Sequence, residues 1–417
     1  MPLPAGAGGD RRAIALSSQL LCLECLACGS RLPAAVPRNL CDCGRPLLAR
    51  YDLAAARDAF LARPTERGIW RHSALLPVGD PRFRLELGEG DTPVLSLSRL
   101  GQDLGLEALY LKDEGANPTG TFKARGAAVA VSRALELGIK RVIMPSAGNA
   151  GGAWAAYCAR AGIRLRVVMP EDAPATVIQE CRLYGAEIEL VRGLLSDAGR
   201  VAAEQAGSGG WFEAATLKEP YRLEGKKTMG YELFEHFGDE LDAVVYPCGG
   251  GVGLIGIDKA YRELAGMGLT DRSPRLIAVQ AVGCAPLVKA FHDGAATAGE
   301  WPGAATIAAG LRVPRVLGDT LALEAIRRTG GGAMAVDDDA ILAAMLKLAR
   351  LEGLWICPEG AAAVAALPRL LETGAIRPSD RTVLLNTGLG LKYPEAVALA
   401  IGQSSGGSRR DRLNLRA

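Results

Sequence analysis

Ala108-Leu-Tyr-Leu-Lys-Asp-Glu-Gly-Ala-Asn117-Pro-Thr-Gly-Thr-Phe-Lys123-Ala-Arg-Gly126 is the stretch on which the fold reading turns. Ala108–Leu111 is a short apolar run that reads as a buried strand. Pro118 and Gly120 then make a turn, and an Ala-rich helical pattern follows at once over Ala124–Leu137. Lys123 therefore falls at the start of a helix, beside N–H groups that have no partner within the helix. The positive end of the helix dipole favours the neutral amine there. A neutral amine is the form that attacks a carbonyl to make a Schiff base. A lone helix lysine is ordinarily a solvated surface group, so the reading depends on what surrounds it.

The same strand-then-helix alternation runs outward from this stretch. Arg141–Met144 precedes helical Gly152–Ala161, and Leu165–Met169 precedes Ala175–Tyr184. Glu187–Val191 precedes Leu195–Ala206, and Ala243–Tyr246 precedes Leu254–Leu264. Leu276–Gln280 and Thr382–Leu385 read as further buried strands. Continuous apolar strands separated by helices imply parallel sheets covered on both faces. The expected class is α/β, with two doubly wound parallel-sheet domains.

Composition sets the outer bounds. The chain has 417 residues, 49% of them hydrophobic, enough for about two cored domains. A formal net charge of +2, with charges interspersed, argues against a nucleic-acid or acidic-membrane partner. No run approaches the roughly 20 apolar residues of a membrane span. Met1–Leu20 lacks a signal-peptide core, so a cytoplasmic location is expected. The three histidines, His72, His236 and His292, are scattered, which disfavours chemistry built on histidine clusters.

Three glycine- or polar-rich loops follow predicted strands. Pro145-Ser146-Ala-Gly-Asn149-Ala-Gly-Gly152 precedes a helix. Its small residues allow close approach of the backbone to a ligand. Ser146, Asn149 and the exposed N–H groups suit a carboxylate, and the Asn149 amide suits a phenolic oxygen. Cys248-Gly249-Gly250-Gly251-Val252-Gly253 opens the helix after Ala243–Tyr246 and reads as an anion cradle of backbone amides. Gly251, Gly253 and Gly256 form a nominal G-x-G-x-x-G. The next strand ends at Gln280-Ala281 without the carboxylate a dinucleotide fold needs, so the loop reads as a monophosphate cup. Asn386-Thr387-Gly388-Leu-Gly390-Leu-Lys392 follows the last strand, where the Thr387 hydroxyl could bond a ring nitrogen without supplying charge.

Five of the ten cysteines lie between Cys22 and Cys43. Cys25-x-x-Cys28 and Cys41-x-Cys43 suit a tetrahedral Zn²⁺ knuckle of structural type, with Gly29 and Gly44 permitting the turns and Cys22 left over. Reduced cysteines in a metal-free ribbon are the alternative.

Together these segments resemble the pyridoxal 5'-phosphate (PLP) enzymes of fold type II, the tryptophan synthase β family, and among them the threonine synthases. The resemblance runs from about Cys25 to Pro394. The cysteine ribbon followed by Tyr51-Asp52 is similar to the N-terminus of many threonine synthases. Leu87-Gly-Glu-Gly-Asp-Thr-Pro93 is similar to the family's opening motif, and Leu111–Lys123 to its cofactor-lysine segment. Tyr221-Arg222-Leu-Glu-Gly-Lys-Lys-Thr228 is similar to the segment that helps hold the substrate phosphate, and Asn386–Lys392 to the closing motif.

The resemblance implies that Lys123 carries PLP as a Schiff base and acts as general base. It implies that Asn149 bonds the cofactor's 3'-oxygen, that Gly249, Gly250, Gly251, Val252 and Gly253 bind its 5'-phosphate, and that Thr387 faces the pyridine nitrogen. Ser146 and Arg222 would bind substrate. The implied reaction converts O-phosphohomoserine and water to threonine and phosphate, and a homodimer is usual in the family. Three positions depart from the threonine synthase pattern: Ala124 stands for Asp, Gly249-Gly250-Gly251 for an Asn-containing loop, and Leu389 for His. The first two lean toward serine/threonine dehydratases of the same fold, the alternative activity. The expected organisation is a cysteine segment over 1–50, a large PLP domain over 51–118 and 240–402, a smaller substrate-side domain over 119–239, and a disordered tail over 403–417.

Overall fold

A computed structural model describes residues 18–62 and 66–404. Its strands are β1 (Leu20–Cys25), β2 (Arg31–Leu32), β3 (Leu47–Tyr51), β4 (Val94–Ser96), β5 (Ala108–Asp113), β6 (Arg141–Pro145), β7 (Arg164–Pro170), β8 (Glu187–Val191), β9 (Phe212–Glu213), β10 (Ala243–Pro247), β11 (Arg275–Ala281), β12 (Gly332–Val336) and β13 (Arg381–Asn386). They form three sheets, ordered β2-β1-β3, β12-β11-β10-β13-β5-β4 and β8-β7-β6-β9.

The two larger sheets are parallel throughout, except that β4 runs antiparallel to β5 at one edge. Central strands such as Ala243–Pro247 are buried along their whole length, as strands covered on both faces must be. The α/β, doubly wound reading therefore holds. Helices Lys123–Glu136, Asn149–Ala161, Ala175–Leu183, Leu195–Gly209 and Val252–Gly266 lie within a few residues of where the sequence pattern puts them.

The Arg222–Phe237 helix is not legible in that pattern. Its sequence is rich in charge and glycine, yet nearly every residue is buried. Two features account for this. Gly225 sits against the Arg125 carbonyl, and a Cβ built on Gly126 would lie 2.8 Å from the Arg222 carbonyl, so two helices cross at backbone contact. The charges are neutralised inside: Lys227 pairs with Glu224 at 2.7 Å and with Glu263 at 2.9 Å.

No described helix is long and apolar enough to cross a membrane. Up to position 17, the Met1–Leu20 stretch lies outside the described residues. So does the expected tail beyond Ser404. Gln403 and Ser404 themselves end the Pro394–Ser404 helix rather than beginning an irregular segment.

Candidate active site

A cavity of about 500 Å³ is lined by the loops that follow β6, β10 and β13 together with the start of the Lys123 helix. This is the carboxyl-end crevice in which α/β sheets bind ligands. It brings together Lys123, Ser146, Asn149, Arg222, Gly249, Gly250, Gly251, Val252, Gly253 and Thr387. These residues come from segments far apart in the chain.

Lys123 is the first residue of its helix, as expected. Two hydrogen bonds dock the turn before it onto the closing loop: Phe122 N–H to the Thr387 carbonyl at 3.2 Å, and Leu389 N–H to the Gly120 carbonyl at 2.8 Å. The Lys123 ammonium lies 4.0 Å from the Phe122 ring centroid. Its pKa is lowered to about 8. Burial is the main cause, and Arg222 adds to it while Glu359 opposes it. Desolvation therefore favours the neutral, nucleophilic form of this amine.

The Gly249–Gly253 loop turns on Gly251, at φ 74°, into the Val252–Gly266 helix, which starts without a side-chain cap. A Cβ on Gly249 would run into the Gly310 carbonyl, and one on Gly253 into the Tyr246 hydroxyl. Only glycine leaves this cradle open. Gln280, where a dinucleotide fold would need an acid, is fully buried. Its amide donates to the Cys248 carbonyl at 3.0 Å and accepts from Leu287 and Val288 N–H. It braces the loop.

Asn149 starts the Asn149–Ala161 helix, and its Nδ2 donates to the Tyr393 hydroxyl at 2.7 Å. Tyr393 in turn donates to Glu359 Oε1 at 3.1 Å, and Glu359 Oε1 also accepts the Gly310 N–H at 2.7 Å. Ser146 is placed differently from the expectation of a free carboxylate clasp. Its hydroxyl donates to the Gly148 carbonyl at 3.0 Å and accepts from the Gly148 and Gly151 N–H groups at 3.3 and 3.0 Å. The hydroxyl thus shapes the loop. Thr387 Oγ1 lies 3.6 Å from the Cys357 thiol at the start of the Pro358–Glu372 helix.

Arg222 is buried. It bonds Thr216 Oγ1 at 3.1 Å and the Ala214 carbonyl and lies over the Trp154 ring; its Nε makes no hydrogen bond and pairs loosely with Glu219 Oε2 at 3.9 Å. Burial lowers its pKa to about 10, against the opposing pull of Glu219. Lys226, one turn further along the same helix, is 4% exposed and lines the same cavity. Burial, with Lys123 and Arg222 as cationic neighbours, pushes its pKa well below the usual lysine value. Lys226, Tyr393 and Glu359 were not among the residues expected from the sequence. The sequence signal for Lys226 is its place inside the Tyr221–Thr228 stretch whose resemblance implies phosphate binding.

The cavity suits PLP on three counts. The glycine cradle at a helix N-terminus fits a phosphate. The buried Tyr246 hydroxyl, beside that cradle, has no partner. The Lys123 amine is poised near neutrality.

Away from the cavity, the sulfur atoms of Cys25, Cys28, Cys41 and Cys43 all lie within 4.8 Å of one another. Cys25 and Cys43 are 3.5 Å apart, as are Cys28 and Cys41. A tetrahedral ion with bonds of about 2.3 Å sets sulfur–sulfur edges of about 3.8 Å, so this set matches a metal knuckle. Gly29 (φ 73°) and Gly44 (φ 77°) form the two turns. Cys22 stays outside the group.

Residues 85–388 match the family of pyridoxal-phosphate dependent enzymes. The chain is 36% identical over 382 residues to the threonine synthase of Methanocaldococcus jannaschii, covering 90% of this chain and 94% of that protein. It is 35% identical to the threonine synthase of Halalkalibacterium halodurans, covering 80% and 92%. Among solved structures, a T.th. threonine deaminase is 28% identical, with a TM-score of 0.60 over 71% of this chain and 92% of that one. Maize serine racemase is 25% identical, with a TM-score of 0.64 over 76% and 93%. This chain belongs to the fold type II family of PLP-dependent enzymes.

Proposed function

We propose that the chain is a threonine synthase, converting O-phosphohomoserine and water to threonine and phosphate. The observation that carries this reading is the pair Arg222 and Lys226. Both are buried cations facing the cavity that holds Lys123, and Lys226 makes no ion pair with a carboxylate among the described residues. Burying an unpaired ammonium is costly unless an anion arrives to offset it. A substrate bearing its own phosphate supplies that anion, in addition to the cofactor phosphate at the glycine loop. The threonine synthases among the relatives support the same reading.

In this reading Lys123 holds the cofactor, and the Gly249–Gly253 amides and the Tyr246 hydroxyl receive its phosphate. Asn149 is held by Tyr393 to meet the ring's 3'-oxygen, and Thr387 meets the ring nitrogen with an uncharged partner. When bound, PLP supplies the electron sink for carbanion chemistry next to the amino group. Lys123 Nζ takes protons from the substrate's Cα and Cβ and returns them at Cγ and Cα, so that Cγ becomes the methyl group of the product. The N–H groups at the start of the Asn149–Ala161 helix receive the substrate carboxylate, with Ser146 shaping that loop. Arg222 and Lys226 grip the phosphate as it leaves Cγ, and water adds at Cβ. The Cys25, Cys28, Cys41 and Cys43 set holds a structural Zn²⁺, and the enzyme works as a cytoplasmic homodimer.

A second reading is elimination from threonine or serine to a ketoacid and ammonia. It is favoured by the Gly249-Gly250-Gly251 form of the phosphate loop, by Ala124, and by the likeness to a threonine deaminase. Purified holoenzyme assayed in parallel with O-phosphohomoserine, threonine and serine decides between them. Phosphate release with threonine formation supports the first. Ketoacid from threonine or serine, without phosphate release from O-phosphohomoserine, overturns it.

A further inference from the structure

The two cysteine pairs close off the segment 29–40, and that segment bonds the chain on either side of the groups that hold Arg222. Asn39, two residues before Cys41, donates from Nδ2 to the Glu213 carbonyl at 2.5 Å and to the Lys218 carbonyl at 3.3 Å. It thereby staples both ends of the short bend that follows β9. Inside that bend are the two groups that hold the Arg222 guanidinium, the Ala214 carbonyl and Thr216 Oγ1. On the same loop the Ala34 carbonyl accepts hydrogen bonds from Arg133 at 2.7 Å and from the Tyr221 hydroxyl at 3.3 Å. Tyr221 immediately precedes Arg222. The ribbon thus touches Arg222 through the backbone on one side and through its neighbour on the other.

Apart from the two-residue β2, the 29–40 loop has no regular structure of its own. Its shape depends on what clamps Cys28 to Cys41 and Cys25 to Cys43. In the absence of a clamp, a loop of this length samples many conformations, and ordering it costs backbone entropy at every residue.

We infer that one thiophilic divalent ion of the Zn²⁺ class, bound by Cys25, Cys28, Cys41 and Cys43, turns the 29–40 loop into a strut that positions Arg222 through Asn39 and Ala34. On binding, the thiols lose their protons to solvent and the ion takes four thiolates; no redox change occurs. Asn39 is a positioning residue: it touches neither substrate nor cofactor. The strut couples ion occupancy to the anion subsite beside Lys123; among the described residues no hydrogen bond joins the 29–40 loop to the glycine cradle, so cofactor binding is expected to change little. The consequence for substrate binding rests on the reading of Arg222 as a phosphate ligand.

The full-length holoenzyme tests this in three forms: as purified, after metal removal by a zinc chelator, and as the Asn39→Ala variant, which leaves all four cysteines in place. Elemental analysis should find about one zinc per chain in the first and third forms, and a chain purified with intact thiols that takes up no thiophilic ion overturns the proposal. Hydrogen exchange read over residues 213–222 should speed up on the order of tenfold in both the depleted and Asn39→Ala forms. Binding of inorganic phosphate should weaken on the order of tenfold in both, while the visible absorbance of the bound cofactor stays the same. If depletion accelerates exchange only within residues 20–50, or if Asn39→Ala leaves 213–222 as protected as before, the strut does not exist. Faster exchange with unchanged phosphate binding supports the strut and removes Arg222 from the phosphate site. The two readings therefore fail separately.

Discussion

Asn149 Nδ2 donates to the phenolic oxygen of Tyr393 at 2.7 Å. The phenol stays protonated, because burial and the nearby Glu359 raise its pKa well above the ordinary value, so it donates onward to Glu359. An amide from the loop after β6 is thus oriented by a carboxylate from the helix at Pro358. Tyr393→Phe removes the link without creating a cavity. The expected result is a loss of cofactor affinity of about three- to tenfold, with the far-ultraviolet dichroism unchanged. Absorbance titration of the cofactor-free protein with PLP measures it. Wild-type affinity in the variant would show that Asn149 does not depend on Tyr393.

Desolvation of the half-buried Lys123 amine lowers its pKa to about 8. Only the neutral amine attacks an aldehyde. The rate at which the cofactor-free protein takes up PLP should therefore rise with pH through about 8 and then level off, whereas an ordinary lysine would still be rising above pH 10. Lys123→Ala should lack the visible imine band at every pH. Stopped-flow absorbance gives both results. A rate still climbing at pH 10 would mean that the amine is solvated.

Lys226 links function to a cost in stability. Its folded pKa lies below the unfolded value, so the unfolded chain binds more protons in the interval between the two. Stability therefore increases as pH rises through that interval, and the penalty is fully present below it. Lys226→Met should stabilise the anion-free protein at pH 7 by about 1–3 kcal/mol in urea unfolding, with the gain shrinking toward pH 10. The same variant should raise the KM for O-phosphohomoserine by about 10- to 100-fold. A variant that is no more stable, with an unchanged KM, would remove Lys226 from the anion subsite.

Arg125 is fully buried between Glu114 at 2.6 Å and Glu232 at 2.5 Å, and Lys112 also pairs with Glu232 at 2.7 Å. Glu232 is held well below the usual carboxylate range by these cations, against the pull of its own burial. Removing the arginine leaves Glu114 without a cationic partner and Glu232 with Lys112 alone. Arg125→Ala should lose about 3–5 kcal/mol by denaturant unfolding. A loss below about 1 kcal/mol would show that water reaches the cluster.

Much of this was legible in one dimension because it depends on local patterning. A parallel strand covered on both faces is continuously apolar, and Gly or Pro marks many turns into helices, so β5–β8, β10, β11, β13 and the Lys123, Asn149, glycine and Thr387 loops could be placed by pattern, whereas β12, Gly332–Val336, behind a Gly-rich turn, could not. The cysteine spacing likewise announced a four-sulfur knuckle. The Arg222–Phe237 helix and the partners Lys226, Tyr393 and Glu359 could not be placed in this way. Their burial depends on neighbours brought from distant segments: glycines that admit another helix, carboxylates that neutralise a buried lysine, and a tyrosine 244 positions from the asparagine it orients. Charge reads as surface in a sequence, because only the fold reveals whether a partner or a cavity lies opposite it. The chain's local chemistry thus determined which loops bear function, and long-range packing decided which side chains meet there and in what state of protonation.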